Sequence, residues 1–242
     1  MDLAIQVPAK RCALALSLIV LLLVVASLGA SYLALVPVAS PFLLKARESV
    51  IRLVWLDGEC NIPSWFSSCL LFIASQLLAL IALVHRRDPF FSRWLLLSGI
   101  FLFLSLDETA QLHELSIAPL RDTFHTSGLL LYPWIIPAGI AVAILGVSYL
   151  RFLGKLPRNT RRLFVAAAII YVGGAVGVEA LSGRQASLHG EHNLAYHLII
   201  TAEELLEMTG VVVFIYALLD YIGRHLGTLR LQVSVRPDSR DR

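Results

Sequence analysis

Between Arg11 and Lys45 the chain carries no charged side chain, and leucine, valine and alanine dominate the run. A bilayer core of about 30 Å is crossed by roughly 20 apolar residues in a helix. Further apolar runs of that length recur along the 242 residues. The composition agrees: 57% of residues are hydrophobic and 15% charged, with a mean hydropathy of +0.76, whereas soluble domains run nearer a quarter charged.

The expected fold is therefore an all-α polytopic membrane bundle over residues 1–229, followed by a polar tail over 230–242. Six spans are expected, at about 13–36, 64–84, 91–115, 131–150, 163–181 and 194–222. The first resembles a signal peptide in its basic start and its "ASLGAS" segment, but the uncharged run is too long for a typical signal core. A retained helix is expected. The segment "SPFLLKARESVIRLVWLDGE" mixes apolar residues at helical spacing with charges, as in a helix lying in the membrane interface.

Basic residues set the orientation. Lys10, Arg11, Arg86, Arg87, Arg151, Lys155, Arg158, Arg161, Arg162 and the tail arginines fall on one side. The other side's Lys45, Arg47, Arg52, Arg121 and Arg184 are offset by Glu48, Asp57, Glu59, Asp122 and Glu191. Both termini are expected in the cytoplasm of a bacterial inner membrane. Spread as loop anchors, the net charge of +3 gives no sign of nucleic-acid binding. Cys12, Cys60 and Cys69 form neither a disulfide framework nor a CxxC pair.

Against this apolar background, "FLFLSLDETAQLHEL" and "TAEELLEMTG" stand out. Asp107 lies sixteen residues into the third span, about 24 Å along a helix, and Glu179 lies equally deep in the fifth. Glu203, Glu204 and Glu207 fall about 15–21 Å below the start of the sixth. One slab on the outer side thus collects the acids, and the inner halves of the same spans are plain. An ionised side chain at a helix centre costs about 2.5–3.5 kcal/mol on insertion scales. No Lys or Arg falls between Arg93 and Arg121 or between Arg184 and Arg224. The acids must then be protonated, hydrated or bound to a cation.

Helical angles place Asp107, Gln111 and Glu114 on one face, with Glu108 at its shoulder, and His197, Thr201 and Glu204 on another. Glu203 and Glu207 stand one turn apart, and His113 points elsewhere, past the helix end. For the third-span acids the alternative is a plain helix exit at the interface; for Glu179 it is a helix cap, and for His197 a hydrogen bond to a backbone carbonyl. His189 and His192 read as solvated loop residues, and His85 and His225 as residues of the inner interface.

Mixed carboxylate and imidazole groups on facing helices suit a divalent metal, zinc or iron. Asp107, Glu114, His197 and Glu204 are the expected ligands. Glu108, Glu203 and Glu207 are expected as catalytic acids or bases, and Glu59, Gln111, His113, Glu179 and Thr201 as supporting groups. A metal-dependent membrane hydrolase or oxidoreductase acting on a lipid or small molecule follows. A proton- or cation-coupled transporter using the same acids, and a non-catalytic assembly subunit, stay open, as do homo-oligomers and membrane complexes. No Gly-x-Ser-x-Gly nucleophile motif, phosphate loop or dinucleotide fingerprint occurs.

Taken together, "LDGECNIPSWFSS", "SLDETAQLHE" and "AEELLEMTG" resemble a set of bacterial multi-pass membrane proteins with no assigned activity. The resemblance covers most of the chain and implies a membrane bundle without implying a chemistry. The arrangement is also similar in style to membrane hydrolases of the alkaline ceramidase type, which hold zinc near one face of a bundle. Their His-x-x-x-His pair is missing here. The acid-bearing third and sixth spans run in opposite directions, as in the inverted repeats of transporters.

Overall fold

The long uncharged runs fold as helices whose packing surfaces are small or apolar and whose outer surfaces are leucine and valine. A computed structural model describes residues 7–191 and 193–227. Its α-helices are α1 (Ala9–Leu35), α2 (Pro41–Val54), α3 (Ile62–Val84), α4 (Phe91–Ala110), α5 (Ile117–Phe124), α6 (Ile135–Lys155), α7 (Arg158–Val172), α8 (Glu179–His189) and α9 (Leu194–Tyr221). No strand occurs among the described residues. Five helical segments are long and apolar enough to cross a membrane, and a sixth qualifies if α4 and the bent segment after it count as one. The expected tail over 230–242 and His192 lie outside the described residues.

Helix α9 is the axis of the bundle, packed against α1, α3, α7 and α8. Helix α3 runs antiparallel to α4, as the pairings Ser68–Ser105 and Ser75–Ser98 require. The Ser75 hydroxyl donates to the Ser98 carbonyl at 2.8 Å, and the Ser98 hydroxyl returns the bond to the Ser75 carbonyl at 3.0 Å. Small hydroxylated residues let two apolar helices approach closely while leaving no polar atom unpaired. Ser98 lies in the inner half of the third expected span, which reads as plain in sequence, and there the structure adds a reciprocal hydroxyl pairing.

Two glycines fit α7 and the turn after it onto α9. A Cβ on Gly210 would stand 2.7 Å from the Tyr171 backbone nitrogen. On Gly174 it would stand 2.9 Å from the Glu203 carbonyl oxygen and 3.0 Å from Glu207 Cγ. Gly174 belongs to a π-helical stretch, Gly173–Val178, that joins α7 to α8 without ending the rod. The fifth span is accordingly longer than expected and reaches His189.

At one end of the bundle Trp94, Tyr149, Phe152, Phe164 and Tyr221 pack edge to face or tilted. The Tyr221 hydroxyl pairs with His85 Nε2 at 3.0 Å, so that histidine serves packing. The acids gather at the opposite end. Apolar side chains cover the outer faces of α1 and α6, where Leu14 is 72% and Val147 71% exposed. Exposure of that kind over whole helices suits lipid.

Candidate functional site

The third expected span does not hold as one helix. Helix α4 stops at Ala110, and Gln111 adopts a left-handed conformation, φ 55°, with its N–H on the Asp107 carbonyl at 2.7 Å. The chain then bends by 72° into the segment Glu114–Phe124. The face shared by Asp107, Gln111 and Glu114 is therefore dismantled, because one αL residue rotates everything beyond it off the helical register. Glu114 opens a short 3-10 turn and is exposed.

Beyond the bend His113 folds back on the helix it has left. Its backbone N–H donates to Asp107 Oδ1 at 2.8 Å, and its Nδ1 pairs with Oδ2 at 2.9 Å. The far side of the imidazole rests on Trp134, ring centroids 4.8 Å apart. The indole of Trp134 in turn donates to Glu179 Oε1 at 2.7 Å. A chain of contacts thus runs from α4 through the bend to the first residue of α8. Glu179 has a specific side-chain donor, which a simple helix cap would not require.

The remaining acids approach from α4 and α9. Glu207, Glu108 and Glu203 all act electrostatically on Glu204, and Glu108, Glu203 and Glu179 on Glu207. Ser67 on α3 faces Glu108, and Ser182 on α8 faces Glu203. One oxygen of Glu203 is sealed from solvent without a hydrogen-bond partner. His197 sits higher on α9 with its ring edge-on to Trp55, centroids 4.8 Å apart, and its carbonyl accepts from Thr201 at 2.7 Å.

The loop before α3 closes over this end. Asn61 caps α3 through a reciprocal pair with Ser64. The same Asn61 amide reaches the Trp55 carbonyl at 2.6 Å and so fixes the loop that carries Asp57 and Glu59. Gln111 faces Glu59, and the charges of Glu114, His113 and Asp107 act on it. Glu59 has its carboxyl raised above the ordinary carboxylate range, first by desolvation and then by the Glu114 charge. Asp57 is pushed up to about 7, by desolvation first and then by Glu191 and Glu59. Tyr132 bridges to Tyr196 on α9 at 3.1 Å and to Glu191 at 3.3 Å.

Among the described residues no lysine or arginine forms an ion pair with these acids. Arg121 spends its guanidinium on the Leu131 carbonyl, at 2.8 and 3.2 Å. Among the described residues the only ion pair formed by an arginine or lysine is Arg224–Asp220, far from these acids in sequence. Also among the described residues, no group of three or more His, Cys, Asp or Glu side chains is placed to hold a metal ion. The expected ligands Asp107, Glu114, His197 and Glu204 are spread over a bent segment and two levels of α9. Asp107 already has both carboxylate oxygens engaged by His113.

Sequence reasoning missed Asp57, Trp55, Trp134, Tyr132 and Tyr196. Trp55 and Trp134 flank expected helix ends, where an interfacial tryptophan is ordinary, so only their partners distinguish them.

The fold defines an all-helical protein with five or six helices of membrane-crossing length. The chain belongs to the DUF8692 family, a domain of unknown function, whose model matches residues 15–222. No curated protein and no solved structure matches it.

Proposed function

We propose that the chain is an integral protein of a bacterial cytoplasmic membrane, with both termini inside and the acid-lined end facing outward. There it takes up a cation, a proton being the simplest, and acts as a proton- or cation-coupled transporter. What supports this reading is that Glu108, Glu203, Glu204 and Glu207 act on one another electrostatically and that, among the described residues, no Lys or Arg is paired to them. Carboxyls at that depth are protonated, hydrated or bound to a cation, and uptake of a cation meets that need directly.

Two features of the backbone support transport over fixed-site chemistry. The 72° bend after α4 and the π-helical stretch Gly173–Val178 both interrupt regular helices beside the acids. Interrupted helices at membrane depth are the usual place where transporters bind ions, and π-bulges concentrate at functional sites.

The test is flux. Purified protein in liposomes loaded with a pH-sensitive dye should dissipate an imposed proton gradient, or a sodium or potassium gradient, and E204Q/E207Q should abolish that flux. A parent protein that moves none of these ions under a gradient would overturn the reading.

A metal-dependent membrane hydrolase or oxidoreductase is the second reading, and the Asp107–His113 pair favours it. A carboxylate on Nδ1 orients an imidazole and leaves its Nε2 as the nitrogen facing outward from the pair, as in many zinc or iron sites. Elemental analysis of purified protein separates the two readings, since near-stoichiometric zinc or iron lost in H113A supports this one.

A further inference from the structure

Helix α2 (Pro41–Val54) has no buried residue, although it sits between two helices of membrane-crossing length. At 3.6 residues per turn, Phe42, Leu43, Val50 and Leu53 fall within an arc of about 100°. All four are strongly exposed, Phe42 at 78%. On the adjoining arc Lys45, Ser49 and Arg52, at i, i+4 and i+7, line one open hollow of about 380 Å³ together with Glu48. The third basic residue is occupied elsewhere: Arg47 donates to the Val36 carbonyl at 2.5 Å, clamping α2 to the end of α1. Lys45 and Arg52 form no ion pair among the described residues.

We propose that α2 lies in the membrane surface and that Lys45 and Arg52 bind the phosphate of an anionic lipid headgroup. An apolar arc beside a basic one is the pattern of an interfacial helix. The apolar side chains enter the acyl region while lysine and arginine stems reach back to the headgroups. The Arg52 guanidinium offers a phosphate paired N–H donors and Lys45 adds a point charge, while Ser49 between them donates its hydroxyl to the Lys45 carbonyl at 2.9 Å. A second copy of the chain is a poorer occupant, because a symmetric contact through this face would bring Lys45 and Arg52 toward their own equivalents. The proposal rests on membrane insertion and is independent of the acid-lined end.

The experiment uses full-length protein extracted from vesicles of phosphatidylcholine containing one fifth phosphatidylglycerol, with retained lipid measured by native mass spectrometry. Phosphatidylglycerol should be retained in preference to phosphatidylcholine. K45Q/R52Q should weaken that retention by about thirty-fold, each basic residue near an anionic surface contributing roughly a five-fold share. E48Q removes the one acid in the hollow and should strengthen retention, which keeps the test decisive if the double variant does not fold. Equal retention of the two lipids, or retention unchanged in both variants, would overturn the proposal. So would complete displacement by millimolar inorganic phosphate, which would mark a free-anion site. A protein that stays soluble without detergent would instead refute membrane insertion itself.

Discussion

Asp107 accepts both N–H groups that His113 can offer it, backbone on Oδ1 and imidazole on Oδ2, although the chain has already left the helix by the time it reaches His113. The aspartate therefore acts as a clasp on the 72° bend. Hydrogen bonds to a charged acceptor contribute about 1.5–3 kcal/mol where water is excluded, and partial exposure of both side chains reduces that. D107N should lower the unfolding free energy in detergent by about 1–2 kcal/mol, read as a fall in Tm. H113A should cost less, because a backbone N–H remains at position 113.

The close approach of the π-helical stretch to α9 makes Gly174 a sharp test of packing. G174A would place a methyl 2.9 Å from a backbone carbonyl, and overpacking of this kind costs about 1–3 kcal/mol. G146A, where nothing lies within 4 Å of the new methyl, should be neutral or slightly stabilising. Thermal unfolding of the two variants side by side checks this, and equal Tm values would contradict the packing account.

Trp134 is the side-chain donor that reaches Glu179. W134F keeps an aromatic ring of smaller size and removes the N–H, leaving a half-buried carboxyl oxygen without its bond at a cost of about 1–3 kcal/mol. Adding E179Q should recover part of the loss, because the neutral amide is cheaper to leave unpaired. A double-mutant cycle on Tm or denaturant midpoint measures the coupling, and additive losses would mean that the indole contributes only its volume.

Asp57 links stability to pH. Its folded-state value of about 7 stands above the ordinary 3.8, so the folded protein binds a proton more readily than the unfolded chain. The stability this contributes is present in full below pH 4 and is lost as pH rises toward 7. Asp57 is an exposed residue, so screening keeps the effect small, and its sign is the readout. Parent protein should lose Tm between pH 4.5 and 7.5 more steeply than D57N does. A D57N profile as steep as the parent's would assign the slope to other carboxyls, Glu59 among them.

The reciprocal hydroxyl pairing predicts a pairwise effect as well. S75A and S98A each remove one of two reciprocal bonds between α3 and α4. Interhelical bonds of this kind are worth about 0.6 kcal/mol on average and up to about 1.7. The double variant should lose less than the sum of the singles, measured by reversible unfolding in mixed micelles.

By itself the sequence determined the all-helical class and the approximate places of the long apolar helices, because hydropathy over about 20 residues is a property of one segment and needs no partner; it did not determine where the third ends or how far the fifth extends. It also singled out Asp107, Glu108, Glu179, Glu203, Glu204 and Glu207, since a carboxyl amid apolar residues is conspicuous wherever it ends up. The bend at Gln111 was illegible. A left-handed helix end is announced by glycine or asparagine, and here the residue is glutamine, with an acidic and polar run after it that continues the helical spacing. Only the tertiary structure decided that Asp107 turns to His113 and that Trp134 reaches Glu179 across 45 residues. It also decided that the serines of α3 and α4 interlock. Such partnerships depend on how rods pack and where a chain reverses, and neither is set by the composition of a single rod.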